Sequence, residues 1–475
     1  INCLIFDSEK KNWPQNNNLY FMGYWCLEQI DGAFSEKYKF NIVNSADNNI
    51  EITNKNMNEI YSIYHTLILE LTNFLNNHHN KNFSKRYWEI IIGPWLKIFL
   101  GIVNERYTSM KNAFEKYEIN KILLSDYSQQ DFFVSNVSDL EEKASTNQNF
   151  WNNILYTKIY EFLSVRCEEL RYKIENNSKK NLNQKKTLKK KIINSLSMFN
   201  IFCGNIKHFI YLPGLKLKDE IKLKLQLKQF PFIFSEIEYP SEKIDIKLRQ
   251  GLKILNKKNS NSSEFENLVR LLIFDLFPTD FLENYERLQQ IVKKLHWPKN
   301  PKIIFTSLAY HGNEIFKIYT AAQVEKGTKY FLGQHGANYF TSKNTLIEPG
   351  FDCSDKFFSW GDIKKDKCIN LFNIKYVNSS KKNNIGSKKV FFFMPKMSRI
   401  RKRPWDDYGQ MIRENVSIEN ILFNLDLKIQ NLSVLKLYPN EYNSEELEKK
   451  ILKEIIFRRK KYRIDRNLKN KEIFQ

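Results

Sequence analysis

Apolar positions along the 475-residue chain recur with two spacings, and the changes between them mark the elements. Short apolar runs that end in polar or glycine-bearing turns predict strands at Cys3–Phe6, Asn120–Ser125, Lys302–Ser307 (KIIFTS), Lys329–Gly333, Lys356–Gly361 (KFFSWG), Lys389–Pro395 (KVFFFMP) and Ser433–Pro439 (SVLKLYP). The aromatic density around Gly23–Trp25 predicts a packed strand end. Helical spacing of Ile60, Ile63, Leu67, Leu69 and Leu71 predicts a helix over Asn56–Asn76, and a second over Lys85–Tyr107. Gly93–Pro94 interrupts the latter, and an internal proline removes a backbone hydrogen bond, so a kink or a two-helix break is expected there. Further helices are expected over Phe150–Ile174, over Pro278–Leu295 with Thr279 as N-cap, and over Asn313–Lys326 with Gly327 as its stop. Ile201–Pro213 and Gln229–Phe234 are apolar and read as strands or loop inserts.

Strand, helix and strand over Lys302–Gly333 make a βαβ unit, so the chain is α/β with parallel strands. The stretch Asn373–Lys389, rich in Asn, Ser and Lys, marks a linker. The division expected is a Rossmann-like domain over 1–370 with a large helical insert at about 130–295, a linker at 371–388, and a second Rossmann-like domain over 389–475. That second domain reads as strand, helix (Gln410–Leu425), strand and helix (Glu445–Phe457), and two strands are too few for a finished doubly wound sheet. It is therefore expected to be C-terminally truncated.

Charge and cysteines narrow the class. Lys and Arg number 75 against 53 Asp and Glu, a net charge of +22. Such a balance attracts anions, although the abundance of Asn, Lys and Ile is equally what an AT-rich coding sequence produces. Lys179–Lys191 reads as a solvated linker or helix face, with a membrane or glycan patch as the other reading. The six cysteines form no CxxC and no Cys/His cluster, which argues against structural zinc and a disulfide framework and for a reducing cytoplasm. Ile90–Val103 is too short to span a bilayer and carries Lys97. No Walker loop or GxGxxG follows a strand, and no RNP pattern, helix-turn-helix or zinc finger is present. No metal, no bound cofactor and no nucleic-acid partner is expected.

The chemistry gathers after the second strand of the βαβ unit, in KYFLGQHGANYF (Lys329–Phe340). Ligands of open parallel sheets sit at the carboxyl ends of the strands. His335 stands there as a candidate acid–base group with Gln334 as a second catalytic candidate that positions substrate hydroxyls, Gly336 lets a ligand approach the backbone, and Asn338 and Tyr339 offer polar contacts to a substrate. Glu348 and Asp352 follow closely enough to orient His335. Glu314 and Glu325 read as surface residues of the helix. Arg86 and Trp25 are weaker substrate-side candidates, as is Glu28, because aromatics with one charge in an apolar setting are usually core. Lys436, Tyr438 and Pro439 end a strand, and from four residues (KLYP) an ordinary strand end is the plainer reading; a cation and a ring there would also suit a nucleotide. Lys396 and Arg399 lie in a basic strand-to-helix loop, Pro395–Arg403, of the kind that holds phosphate.

These blocks carry a resemblance. LYFMGYWC, RYWEIIIGPWL, IIFTSLAYHGNEIFKIYTAAQVEKGTKYFLGQHGANYF, FFSWGD and LKLYPNEY resemble, in the same order, the LIC-type family of transferases from bacterial surface-polysaccharide (O-antigen and capsule) loci, from residue 1 to about residue 445. Tyr24 stands where that family mostly has glutamate. More distantly, the QHG turn and the K-x-aromatic-P strand end resemble the capsule Kdo transferases, with Tyr438 in place of a histidine. The resemblance implies a GT-B architecture and transfer of a sugar from a nucleotide-activated donor, CMP-linked donors among them. The acceptor would be a cell-surface glycan or lipid-linked glycan, handled in the cytoplasm or at the inner face of an anionic plasma membrane. It implies nucleotide contacts at Lys436, Tyr438 and Pro439, with His335 on the acceptor side. A glycerol-phosphate or other phosphosugar transferase of the same architecture and a non-catalytic acidic-glycan binder are the alternatives.

Overall fold

The computed structural model describes residues 1–15, 17–27, 40–43, 50–145, 150–173, 206–229, 237–240, 243–256, 262–336, 339–340, 347–374, 390–393, 421, 424–436 and 463–465. The expected linker and the two C-terminal helices fall outside these residues almost entirely, as does the lysine-rich stretch 179–191. The chain divides into two compact units, one formed by residues 1–377 and 402–405, the other by 378–401 and 406–475.

The first unit is α/β and holds two five-stranded sheets, in which every described pairing is parallel. The first sheet has the order β3-β2-β1-β4-β5, with β1 at Asn2–Ile5, β2 at Asn18–Phe21, β3 at Phe40–Ile42, β4 at Lys121–Asp126 and β5 at Glu168–Lys173. The second runs β10-β9-β8-β7-β6, with β6 at His208–Ile210, β7 at Ile303–Thr306, β8 at Lys329–Gly333, β9 at Lys356–Trp360 and β10 at Cys368–Leu371. The span 130–295, read as a helical insert, carries helices together with β5 and β6, one strand for each sheet. The second unit has a parallel three-stranded sheet of β11 (Val390–Phe393), β12 (Ser433–Lys436) and β13 (Arg463–Asp465). The sequence reading had only two of these strands, because Arg463–Asp465 is three residues, two of them charged, with no apolar run to announce it.

Two long helices fill the first unit, α1 (Ile50–His78) and α2 (Lys85–Lys116). Ser84 starts α2 by accepting a hydrogen bond from Tyr87 N, and Glu325 in turn accepts from the Ser84 amide and hydroxyl. Of the two expectations, a kink or a two-helix break, the break does not occur: α2 runs through Pro94 as a single helix. Every residue from Tyr87 to Tyr107 except Lys97 is buried, so neighbouring elements hold the helix on all sides. Pro94 leaves no amide for Ile90 O, and one residue on Ile91 O accepts a hydrogen bond from Lys317 Nζ at 3.0 Å. Gly93 belongs to the same packing, because a Cβ there would lie 2.8 Å from Tyr64 Oη and 2.9 Å from Pro349 Cβ.

The shorter helices that matter for the site are α3 (Val137–Ser145), α4 (Phe150–Leu163), α5 (Glu264–Leu276), α6 (Tyr285–Lys294), α7 (Ala309–Gly312), α8 (Glu314–Glu325) and α9 (Pro349–Cys353). Two differ from the expectation. The helix expected over 150–174 ends at Leu163; Ser164 has φ +54, and EELRYK becomes the edge strand β5, whose alternating charges suit one exposed face. The helix expected from Pro278 begins at Tyr285, after a short 3-10 turn at Thr279–Phe281. Thr279 caps nothing; its amide and that of Asp280 donate to Val134 O and Ser135 O, fastening this turn to the segment before α3.

Candidate active site

The β7-α8-β8 unit forms as its pattern implies. Asn313 Oδ1 accepts from Phe316 N and caps α8, and Gly327, at φ +95, supplies the left-handed residue that ends it. The strand β8 is the middle strand of its sheet, so the turn after it is flanked on both sides by other strand ends. Gln334 fixes that turn. Its amide N donates to Phe358 O, its Nε2 to Gly336 O at 2.8 Å, and its Oε1 accepts from Trp360 N at 2.8 Å. With 6% of its surface exposed, Gln334 spends both ends of its side chain on the protein; it shapes the turn instead of facing outward.

His335 follows, and its Nδ1 shares a 2.8 Å hydrogen bond with Tyr339 Oη. Tyr339 Oη lies a further 2.8 Å from Tyr310 Oη, on α7 at the carboxyl end of β7. Burial first, and then the charge of Glu348, hold both phenols above their ordinary range, so they stay protonated and pass hydrogen bonds along the row. Tyr310 was not anticipated; the sequence signal, a YHG after the first strand of the βαβ unit, was present but had no visible partner. Glu348 and Asp352 do not provide the described contact to Nδ1. Glu348 pairs with Lys97 at 3.0 Å, and Asp352 lies on α9 beside Glu89 and Glu348. Nothing among the described residues lies within 4 Å of where a Cβ on Gly336 would stand, so the described residues leave the backbone beside His335 uncrowded. Asn338 lies outside the described residues.

The other candidates are elsewhere. Arg86 donates twice to Cys353 O, at 2.9 and 2.7 Å, and pairs with Asp355 at 2.8 Å, tying α2 to the end of α9. Trp25 is 3% exposed and stacks on Tyr156 of α4, in the core of the first sheet, well away in topology from β8. Lys436 is the last residue of β12, in register with Phe393 and Asp465. Lys396, Arg399, Tyr438, Pro439 and Glu28 lie outside the described residues. Glu314, read as a surface residue, is 3% exposed and lies 2.7 Å from Lys317; its place at the start of α8, facing α3 and the 279–281 turn, buries it. Glu325 does lie at the surface.

The first sheet has its own switch of strand order, between β1 and β4, where ligands of open sheets often sit. Asp7 stands there, 1% exposed, but its carboxylate is occupied: Oδ1 accepts from Glu9 N at 2.9 Å and Oδ2 from Asn12 Nδ2 at 2.6 Å. Among the described residues no group of three His, Cys, Asp or Glu side chains could hold a metal ion, and no described helix is long and apolar enough to cross a membrane.

Comparison with known proteins gives one match. A family model described as LIC12162 family transferase matches residues 2–472, nearly the whole chain. No curated protein and no solved structure matches.

Proposed function

Since the chain belongs to the LIC12162 family of transferases, we propose that it transfers a sugar from a nucleotide-activated donor, with CMP-linked donors included, to a cell-surface polysaccharide or its lipid-linked precursor. The observation that carries this reading is the hydrogen-bonded row His335–Tyr339–Tyr310 beside Gly336, which no described residue crowds, at the carboxyl end of a central parallel strand. A group transfer to a hydroxyl is helped by a general acid or base at the reacting centre and by donors aimed at the leaving group, and such a row supplies a held imidazole that can serve as one of these. Under this reading the architecture is of the GT-B kind, His335 touches the reacting sugar or its leaving group, and Asn338 contacts sugar hydroxyls. Lys436, with Lys396, Arg399, Tyr438 and Pro439, would meet the nucleotide, and the positive charge of the chain would favour anionic donors and an anionic membrane surface.

The test is thermal unfolding with CMP, CDP, UDP, GDP and ADP at matched ionic strength. A ligand at a hundred times its dissociation constant stabilises by about 2.7 kcal/mol. One nucleotide should raise the midpoint, and Lys436→Ala should remove the effect. If none of the five shifts the midpoint, the donor assignment is wrong.

A further inference from the structure

Between a helix that follows β4 of the first sheet and one that follows β7 of the second, the structure places a second imidazole that the reading above does not use. The helix α3 follows β4 of the first sheet, and α7 follows β7 of the second. His311 on α7 and Glu141 on α3 meet there, Nε2 to Oε2 at 2.9 Å. An ionised carboxylate only accepts, so the Nε2 proton of His311 is the one donated and Nδ1 is left as the outward nitrogen. Nδ1 makes no hydrogen bond among the described residues, and 37% of the His311 side chain is exposed. His311 also directly follows Tyr310. The ring of Tyr310 has His335 at 6.1 Å and His311 at 6.3 Å between ring centroids, so both imidazoles border one phenol.

We propose that His311 is the catalytic base of this transferase and Glu141 its positioning residue. The proposal rests on the glycosyl-transfer reading and divides its labour. A carboxylate on the far nitrogen holds the ring in one tautomer and stabilises the imidazolium formed when the near nitrogen takes a proton. His335 has instead a neutral phenol on its Nδ1, which suits it to hydrogen-bond the donor. In the step, the acceptor oxygen forms its bond to the anomeric carbon as the bond from that carbon to the phosphate oxygen breaks. The bonding pair leaves with the nucleotide, and the acceptor proton passes to His311 Nδ1. With water as acceptor the same step hydrolyses the donor.

The test uses the full chain with CMP-N-acetylneuraminate, UDP-glucose and UDP-N-acetylglucosamine, reading nucleotide release with water as acceptor. His311→Gln keeps a donor for Glu141 but cannot take a proton, and should lower kcat by about a hundredfold or more, with KM and the unfolding midpoint unchanged. Glu141→Gln should lower kcat about tenfold, again without a change in KM. Nitrogen NMR of the wild-type protein, which needs no substrate, should show the His311 proton on Nε2. The proposal is overturned if His311→Gln keeps kcat within threefold, if its loss of rate tracks a fall in the unfolding midpoint, or if the His311 proton sits on Nδ1. If the wild-type chain releases no nucleotide from any of the three donors while the Nε2 proton is seen, the glycosyl-transfer reading fails and the base assignment falls with it; the His311–Glu141 pair itself then stands.

Discussion

Tyr339 Oη stands 2.8 Å from Nδ1 of His335, across four residues of a turn that Gln334 pins to the end of β9. The imidazole is therefore held by a phenol that is itself held by Tyr310. Replacing Tyr339 by Phe removes this hydrogen bond from the imidazole and should lower transfer about tenfold. Stability should fall by only about 1 kcal/mol, the net worth of a buried hydrogen bond. Tyr310→Phe should act in the same direction and more weakly. The two effects should not add, because both hydroxyls belong to one row. Steady-state rates and urea midpoints of the two single variants and the double variant check this.

Two glycines separate packing from function. Gly93→Ala puts a methyl against Tyr64 Oη and Pro349 Cβ inside a fully packed helix, and should cost about 1–3 kcal/mol. Gly336→Ala meets no described atom, so the fold should keep its stability within about 0.5 kcal/mol while ligand binding weakens. Unfolding midpoints with and without nucleotide report on both.

Much of the second sheet could be read from the chain because its signals are local: an apolar run, an Asn cap, a Gly stop and a second apolar run give β7, α8 and β8 without reference to the rest. His335 was legible for the same reason. What failed were features decided at a distance. Pro94 reads as a break until Lys317 and the burial of α2 are known, and Glu314 reads as surface until α3 packs on it. Glu141 and His311 are 170 residues apart, so no window of sequence could pair them. Strand β5 was lost because an edge strand with charged alternation, directly after a helix, looks like more helix.

The buried pair Glu314–Lys317 gives a stability test. Both side chains are 1% exposed, and Lys317 also serves Ile91 O. Burial raises the Glu314 carboxyl and lowers the Lys317 ammonium relative to their ordinary values, so each charge depends on the other. Lys317→Met alone should cost about 3–5 kcal/mol, and adding Glu314→Gln should recover a large part of it. Urea unfolding of the single and double variants measures the difference.

His79 sets a pH dependence. Its Nε2–H donates to Phe281 O at 3.1 Å, and burial pushes the imidazole down to about 4 from 6.5. Between those values the unfolded chain binds a proton that the folded chain refuses, so the unfolded state gains and stability falls as pH drops from 6.5 toward 4. The contribution at stake is about 3 kcal/mol. His79→Gln, which keeps a donor for Phe281 O, should flatten this part of the curve between pH 7 and 4.5 in denaturant titrations.

The central claim, that the turn after β8 is the reacting centre of a transferase, meets its most direct test in nucleotide release from activated sugars by the wild-type chain and by His335→Ala. The account predicts release from at least one donor, a loss of about a hundredfold in the variant, and a stability lowered by no more than the about 1 kcal/mol that the Tyr339 hydrogen bond is worth. Release at the wild-type rate by His335→Ala would contradict it.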